Sequence, residues 1–171
     1  MSTIPAIFET VANSEQALAF FRGRLSVETD ASDVLAGLVA PEPGFVVVDV
    51  RGDAAWAQGH VPGAIHLPYR EIATRAAELI PAGTPVVVYC WSPGCNAGVK
   101  GGIEFAKLGY PVKEMIGGFE YWVREGFRFD TELGSHVEPA DPRVNVVAGA
   151  WVSGALTRDE VAAAAGASCG C

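Results

Sequence analysis

The chain has 171 residues, of which 50% are hydrophobic and 19% charged, and its net charge is −8 at neutral pH. This composition is typical of a folded protein with one well-formed core and argues against general disorder. The acidic balance disfavours nucleic acid and anionic membrane surfaces as main partners, and no apolar run approaches the roughly 20 residues of a membrane-spanning helix.

The first predicted element is an amphipathic helix over residues 13–24. Asn13 is a suitable N-cap, and Leu18, Phe20 and Phe21 supply an apolar stripe. We therefore expect a helical lead-in before the main sheet begins.

From residue 25 onward, extended and helical patterns alternate with short connections. The sequence predicts extended segments at 25–29, 45–50, 64–67, 85–90 and 112–116, and helices at 31–40, 71–80, 96–108 and 119–125. This alternation requires an α/β fold, in which a mainly parallel five-stranded sheet carries helices on both faces. Ligands of such sheets bind outside the C-terminal ends of the strands, where Asp49, Arg51 and Cys90 are predicted to lie.

Cys90 is the residue that most directly indicates chemistry. It ends the apolar run that starts at Val86, and a helix that starts near Ala97 directs its amide groups towards the sulfur. A helix N-terminus carries roughly half a positive charge, so a cysteine there can lose its proton near neutral pH and become a nucleophilic thiolate. The alternative is that Cys90 is a small apolar residue at the end of a strand.

Four motifs in this order resemble those of the rhodanese-like (sulfurtransferase) family. They are Asp49-Val50-Arg51, the segment Gly59 to Ile65, the strand end Tyr89-Cys90, and Gly117-Gly118-Phe119 with Trp122. The resemblance implies a rhodanese-like domain over residues 25–129, with a helical lead-in at 1–24 and a C-terminal extension at 130–171.

The resemblance also implies a reaction. Cys90 would accept sulfane sulfur from thiosulfate or a persulfide, become a persulfide, and pass the sulfur to a thiol, in some cases on a protein, or to another acceptor. It implies no cofactor and no metal. Asp49 and Arg51 would support a substrate-binding and anion-binding loop of seven residues: Trp91, Ser92, Pro93, Gly94, Cys95, Asn96 and Ala97.

The loop departs from the usual family pattern. It is one residue longer, like the loop of the dual-specificity phosphatases that share the fold, but these need an arginine six residues after the cysteine. Asn96 occupies that position, and Lys100 is the first cation downstream. The sequence therefore argues against phosphatase activity, and the missing arginine favours a persulfide donor over dianionic thiosulfate.

The other cysteines are Cys95, Cys169 and Cys171. Each is a candidate resolving thiol for a Cys90 persulfide, and the terminal pair is also suited to disulfide exchange or soft-metal binding. Equally, Cys95 can be a small residue packed beneath the loop, and the terminal pair can be an exposed tail without a role.

The N-terminus lacks the basic region and apolar core of a secretory signal, so we expect a cytoplasmic protein with reduced thiols. Two rival interpretations remain. One is a thiol redox protein that cycles a disulfide between Cys90 and either Cys95 or the tail, and the other is a catalytically weak module that binds a partner.

Overall fold

The computed structural model describes residues 6–146, in which a parallel sheet is flanked by helices. The strands are β1 (Glu28–Thr29), β2 (Val46–Asp49), β3 (Ile65–His66), β4 (Val86–Tyr89), β5 (Val112–Met115), β6 (Phe129–Thr131) and β7 (Gly134–His136). A 3₁₀ turn at Ala6–Phe8 precedes the helices α1 (Ser14–Val27), α2 (Ala31–Leu38), α3 (Asp53–Gln58), α4 (Ile72–Leu79), α5 (Ala97–Lys107) and α6 (Gly118–Arg124).

The main sheet has the strand order β1-β5-β4-β2-β3, and all of its pairings are parallel. The predicted α/β class with a five-stranded parallel sheet is therefore confirmed. The central strand β4 is buried along its whole length, which explains its unbroken apolar sequence. Its alternate side chains enter two separate cores: Val88 and Cys90 on one face of the sheet, Val87 and Tyr89 on the other.

Helix α1 differs from the prediction in its end and in its burial. It continues to Val27, because the N–H of Glu28 still donates to the Arg24 carbonyl and the Glu28 side chain accepts from Arg24. The predicted extended segment at 25–29 is therefore reduced to the two residues of β1. No residue of α1 is buried, so the apolar stripe of Leu18, Phe20 and Phe21 is exposed in this chain.

One helix and one pair of strands were not predicted. Helix α3 has only six residues and no side-chain cap at Gly52, so its pattern was too short to be recognised. The antiparallel pair β6–β7 begins at Phe129, the last residue of the predicted domain, and continues into the predicted C-terminal extension. It joins the domain through a bridge between His60 and Asp130.

Residues 147–171, which include Cys169 and Cys171, lie outside the described residues. Within residues 6–146, no helix is long and apolar enough to cross a membrane.

Candidate active site

Cys90 is the first residue after β4, and the N-terminus of α6 fixes its backbone. The Cys90 carbonyl accepts the Phe119 N–H at 2.9 Å, and the Trp91 carbonyl accepts the Glu120 N–H at 2.7 Å. Gly118 permits this contact, since its φ is 60° and a Cβ there would lie 2.5 Å from the Cys90 oxygen. The pair Gly117-Gly118 thus lets α6 approach the base of the loop.

The loop of residues 91–97, called the Cys90 loop below, folds back over the sulfur. The Cys95 N–H donates to the Ser92 carbonyl at 2.9 Å and closes a turn, and α5 begins at Ala97. The Cys90 thiol donates to the Cys95 carbonyl oxygen at 3.1 Å. The backbone N–H groups of Ser92 and Gly98 act to lower the pKa of Cys90, so one loop amide and one amide of α5 influence the sulfur.

Cys95 is brought into contact with Cys90. Both are free thiols, Cys90 buried and Cys95 half-buried, and the Cys90 thiol donates to the Cys95 carbonyl. The backbone N–H groups of Trp91 and Ala97 and the positive charge of Lys100 act to lower the pKa of Cys95. The loop therefore holds two sulfurs.

The acidities of the two thiols differ in direction. Burial raises the pKa of Cys90 to about 11, and the hydrogen bond with Cys95 adds to this effect. Burial also acts to raise the pKa of Cys95, but the bonds from Cys90, Trp91 and Ala97 outweigh it and lower that pKa. The expected lowering of the Cys90 pKa is thus wrong for this resting arrangement, because burial outweighs the helix N-terminus and the proton stays on Cys90.

This ordering predicts which thiol an alkylating reagent modifies first. Near neutral pH we expect iodoacetamide to modify Cys95 about tenfold faster than Cys90, because the thiolate is the reactive form. In a Cys95→Ser variant the contribution of Cys95 is lost, so the pKa of Cys90 read from its alkylation rate should fall below about 11, while burial keeps it above that of an ordinary thiol. Tandem mass spectrometry of the peptide that holds both residues measures this, and faster labelling of Cys90 at neutral pH would contradict the ordering.

A buried ion pair lies beneath the loop. The Arg51 Nε and Nη2 donate to the two carboxylate oxygens of Asp49 at 2.9 and 2.6 Å, and Nη2 also donates to the Gly59 carbonyl at 2.6 Å. The Tyr89 hydroxyl donates to Asp49 at 2.7 Å and accepts the Val61 N–H at 3.1 Å. Burial, together with the Asp49 charge, raises the pKa of Tyr89. The pair thus ties the segment 59–61, between α3 and β3, to the ends of β2 and β4.

The same guanidinium connects the ion pair to the Cys90 loop. Its central carbon lies 4.4 Å from the ring centroid of Trp91 and 4.5 Å from that of Phe119, distances at which cation–π attraction is effective. Among residues 6–146, Arg51 Nη1 is the buried side-chain nitrogen without a hydrogen-bond partner. In place of a hydrogen bond at this nitrogen, the guanidinium stacks on the rings of Trp91 and Phe119. This stacking holds Trp91 beside Cys90.

Two clefts meet at Cys95. The first cleft, of about 590 Å³, is lined by Cys90, by Cys95 and by the charged residues Arg24, Asp30, Glu114 and Glu125. The second cleft, of about 390 Å³, is lined by Cys95, Arg51, Tyr69, Arg70, Trp91 and Ala97, together with Asp53 and Glu71. Of these two clefts, Cys90 lines only the first, whereas Cys95 lines both.

The first cleft is acidic. It contains three carboxylates, and its one arginine, Arg24, is already paired with Glu28 at 2.8 Å. Burial raises the pKa of Glu114, and the neighbouring Glu28 adds to the effect, while the Val99 N–H opposes it. Such a wall repels anions, and a dianion more than a monoanion.

The structure distributes the predicted site residues over both clefts. Ser92, Pro93, Gly94 and Asn96 line the first cleft with the two cysteines, Trp91 and Ala97 line the second, and Asp49 lies beneath the loop. Sequence reasoning missed the structural role of Tyr89 and the position of Glu114. The first could have been found from the register, because Tyr89 pairs with Asp49 on the adjacent strand.

Comparisons with known proteins agree with this architecture. A family model described as "Rhodanese-like domain" matches residues 31–125. The thiosulfate sulfurtransferase GlpE of Pseudomonas fluorescens is 37% identical over 84 residues, which are 47% of this chain and 72% of the relative. GlpE of Haemophilus influenzae is 31% identical over 91 residues, covering 53% of this chain and 84% of the relative. A crystal structure of the BH2092 protein from Bacillus halodurans superposes with a TM-score of 0.67 at 36% identity, over 71% of this chain and 89% of that one.

Proposed function

Since the chain belongs to the rhodanese-like domain family, we propose that it is a sulfurtransferase in which Cys90 carries sulfane sulfur as a persulfide. The observation that carries the proposal is the Cys90 thiol at the wall of a cleft, directly after β4 and beneath a loop that leads into α5. We assign the catalytic domain to residues 25–129 and treat 1–24 and 130–171 as flanking segments. The chemistry needs reduced thiols, which the cytoplasm provides.

In the first step, Cys90 becomes a nucleophile by giving its proton to the neighbouring Cys95 thiolate. The Cys90 thiolate then attacks the sulfane sulfur of the donor, and the bond between that sulfur and the rest of the donor breaks. The donor leaves as sulfite or as a thiolate, and Cys90 is left as a persulfide anion. The amides of Ser92 and Gly98 supply fixed positive dipoles for the anionic sulfur.

In the second step, an acceptor thiolate attacks the outer sulfur of the persulfide. The S–S bond breaks, the acceptor leaves as a persulfide, and the Cys90 thiolate recovers its proton from Cys95. The buried thiol of the resting state is thereby restored. A raised pKa lowers the fraction of Cys90 that is ionised but increases the nucleophilicity of the thiolate that forms. The site therefore needs a neighbouring group that accepts the Cys90 proton.

The charge of the first cleft supports a persulfide donor. Thiosulfate carries two negative charges, and it would face Asp30, Glu114 and Glu125 without an unpaired arginine in the wall. A low-molecular-weight or protein persulfide carries less charge at the reacting end. We therefore propose persulfides as the preferred donor class and thiosulfate as a weaker one.

Neutralising one of these carboxylates should improve the use of thiosulfate. For Glu114→Gln we expect kcat/KM with thiosulfate to rise roughly three- to tenfold, the size expected for removing one nearby, partly screened charge. Kinetics with thiosulfate and cyanide measure this change. Glu78→Gln is the matched control, because Glu78 is exposed on α4 and lines neither cleft. Equal gains in both variants would contradict a specific role for the cleft carboxylate.

The proposed function is tested by the transfer of sulfur to cyanide. We expect the full chain to form thiocyanate from glutathione persulfide and, with a lower kcat/KM, from thiosulfate, after subtraction of the uncatalysed rates. A chain that forms no thiocyanate from either donor would refute the proposal and favour the partner-binding module.

A further inference from the structure

We propose that Cys95 discharges the Cys90 persulfide within the protein, forming a Cys90–Cys95 disulfide and releasing the transferred sulfur as sulfide. This inference rests on the proposed function, because it begins from a loaded Cys90. It makes the chain a sulfide-releasing enzyme that draws its reducing equivalents from an external thiol.

The first support is the contact between the two residues. The Cys90 Sγ lies 3.1 Å from the Cys95 carbonyl oxygen, both residues line the first cleft, and neither is engaged in a disulfide. An external thiol must enter the first cleft to reach Cys90, which is only 3% exposed. Cys95 is already beside it, so its attack is intramolecular and needs no diffusional encounter.

The second support is the space around the loop. Gly94 precedes Cys95, and a Cβ added at Gly94 would meet a single neighbour, the Ser92 hydroxyl oxygen at 3.8 Å. The outer side of the turn at Gly94 therefore faces open space, while Cys95 packs against the same core cluster that holds Cys90.

The arrangement of the clefts defines which sulfur is attacked. Cys90 opens only to the first cleft, so a sulfane sulfur on it extends into that cleft. The Cys95 carbonyl oxygen lies 3.1 Å from Sγ, and Cys95 lines the first cleft with Cys90 as well as the second cleft. Cys95 thus attacks the Cys90 Sγ from beside it, and the outer sulfur leaves into the first cleft.

The step balances in atoms, charge and electrons. The Cys95 sulfur bonds to the Cys90 Sγ, the bond between Sγ and the outer sulfur breaks, and the Cys95 proton goes to the departing sulfur. A persulfide anion and a thiol thus become a disulfide and HS⁻. The sulfane sulfur is reduced to sulfide, and the two cysteines supply the electrons as they are oxidised to the disulfide.

The second cleft provides the route by which the disulfide is reopened. An external thiolate attacks Cys95 there, the Cys90 thiolate leaves, and a second thiol releases the resulting mixed disulfide as an oxidised pair. Arg70 lines this cleft, and the Lys100 ammonium lies 5.5 Å from the ring centroid of Tyr69 in its wall. These cations offset the two carboxylates of this cleft, Asp53 and Glu71, so it repels a thiolate less than the first cleft does. Donor and reductant thus enter from different sides.

A single-turnover experiment on the full chain tests the inference. Cys169→Ser/Cys171→Ser is the common background, so that Cys90 and Cys95 are the remaining thiols. The protein and a variant that also carries Cys95→Ser are incubated with thiosulfate without any thiol, then quenched with acid and alkylated. Sulfite counts the sulfur loaded, sulfide counts the sulfur discharged, and peptide mapping locates the persulfide or disulfide.

With both thiols present we expect about one sulfide per sulfite and a Cys90–Cys95 disulfide. The Cys95→Ser chain should release sulfite but no sulfide and should keep the persulfide on Cys90. A persistent persulfide in the chain with both thiols, or equal sulfide from both chains, would overturn the inference and leave the proposed function intact. Absence of sulfite from both chains, together with no gain of sulfur by either chain from glutathione persulfide, would refute the proposed function itself, and the inference with it.

Discussion

Replacing Cys90 by serine is expected to lower kcat/KM for sulfur transfer by about 10³-fold or more, because the covalent intermediate can no longer form. A serine hydroxyl is a far weaker acid than a thiol and cannot become a persulfide. The substitution removes little volume, so the free energy of unfolding should change by no more than about 1 kcal/mol. Thiocyanate formation and urea unfolding measure the two quantities separately.

The matched control is Cys95→Ser, five residues along the same loop. It removes the proton acceptor but keeps the nucleophile, so loading should slow by on the order of 10²-fold, the lower end of general-base effects. Comparable residual activity in the two variants would show that the two cysteines do not have distinct roles as nucleophile and proton acceptor.

Replacing Asp49 by alanine is expected to destabilise the fold by about 3–5 kcal/mol, the usual cost of leaving a buried charge without its partner. Asp49 and Arg51 are 0% and 4% exposed, and the carboxylate accepts from four donors, which are the backbone N–H, Nε and Nη2 of Arg51 and the Tyr89 hydroxyl. Without it, the guanidinium keeps only its bond to the Gly59 carbonyl and the aromatic contacts. Urea unfolding, with the midpoint and slope fitted together, measures the loss.

Two variants calibrate this prediction. Tyr89→Phe removes one hydroxyl from the same network and should cost about 1–3 kcal/mol. Glu104→Ala breaks the ion pair with Lys107 on the surface of α5 and should cost less than about 1 kcal/mol. If Asp49→Ala lowered the free energy of unfolding by no more than Glu104→Ala, the ion pair would not be what holds the base of the Cys90 loop.

The sheet could be predicted from the sequence because its strands are buried. The apolar run at β4 has no polar position to interrupt it, and its burial on both faces is the reason. Helix α1 was only partly predictable. Its stripe of Leu18, Phe20 and Phe21 has the pattern of a buried face, but within the described chain nothing covers it. A periodic pattern identifies a helix, whereas burial depends on what packs against it.

The candidate site, like the fold, could be predicted from the sequence only in part. The position of Cys90 follows from local sequence, because a strand end and a helix start bracket it. The contact between Cys90 and Cys95 does not, since it depends on the turn closed by the Cys95 N–H on the Ser92 carbonyl. The acidity of Cys90 was predicted wrongly for the same reason. The helix N-terminus was visible in the sequence, but the depth at which the loop buries the sulfur was not.

Both thiols are therefore candidates for the nucleophile. Cys90 has the strand-end position and the buried sulfur with two amides, while Cys95 is the thiol that ionises more readily. In the proposed mechanism, Cys95 accepts a proton and later discharges the persulfide, but it does not take sulfur from the donor.

The most direct measurement uses two chains with one thiol each, both in the Cys169→Ser/Cys171→Ser background. One also carries Cys95→Ser and the other Cys90→Ser. Each is incubated with glutathione persulfide, and its intact mass is compared with that of the untreated chain. We predict that the chain retaining Cys90 gains one sulfur and the chain retaining Cys95 gains none. One sulfur on the Cys95 chain and none on the Cys90 chain would contradict the assignment of Cys90 as the nucleophile.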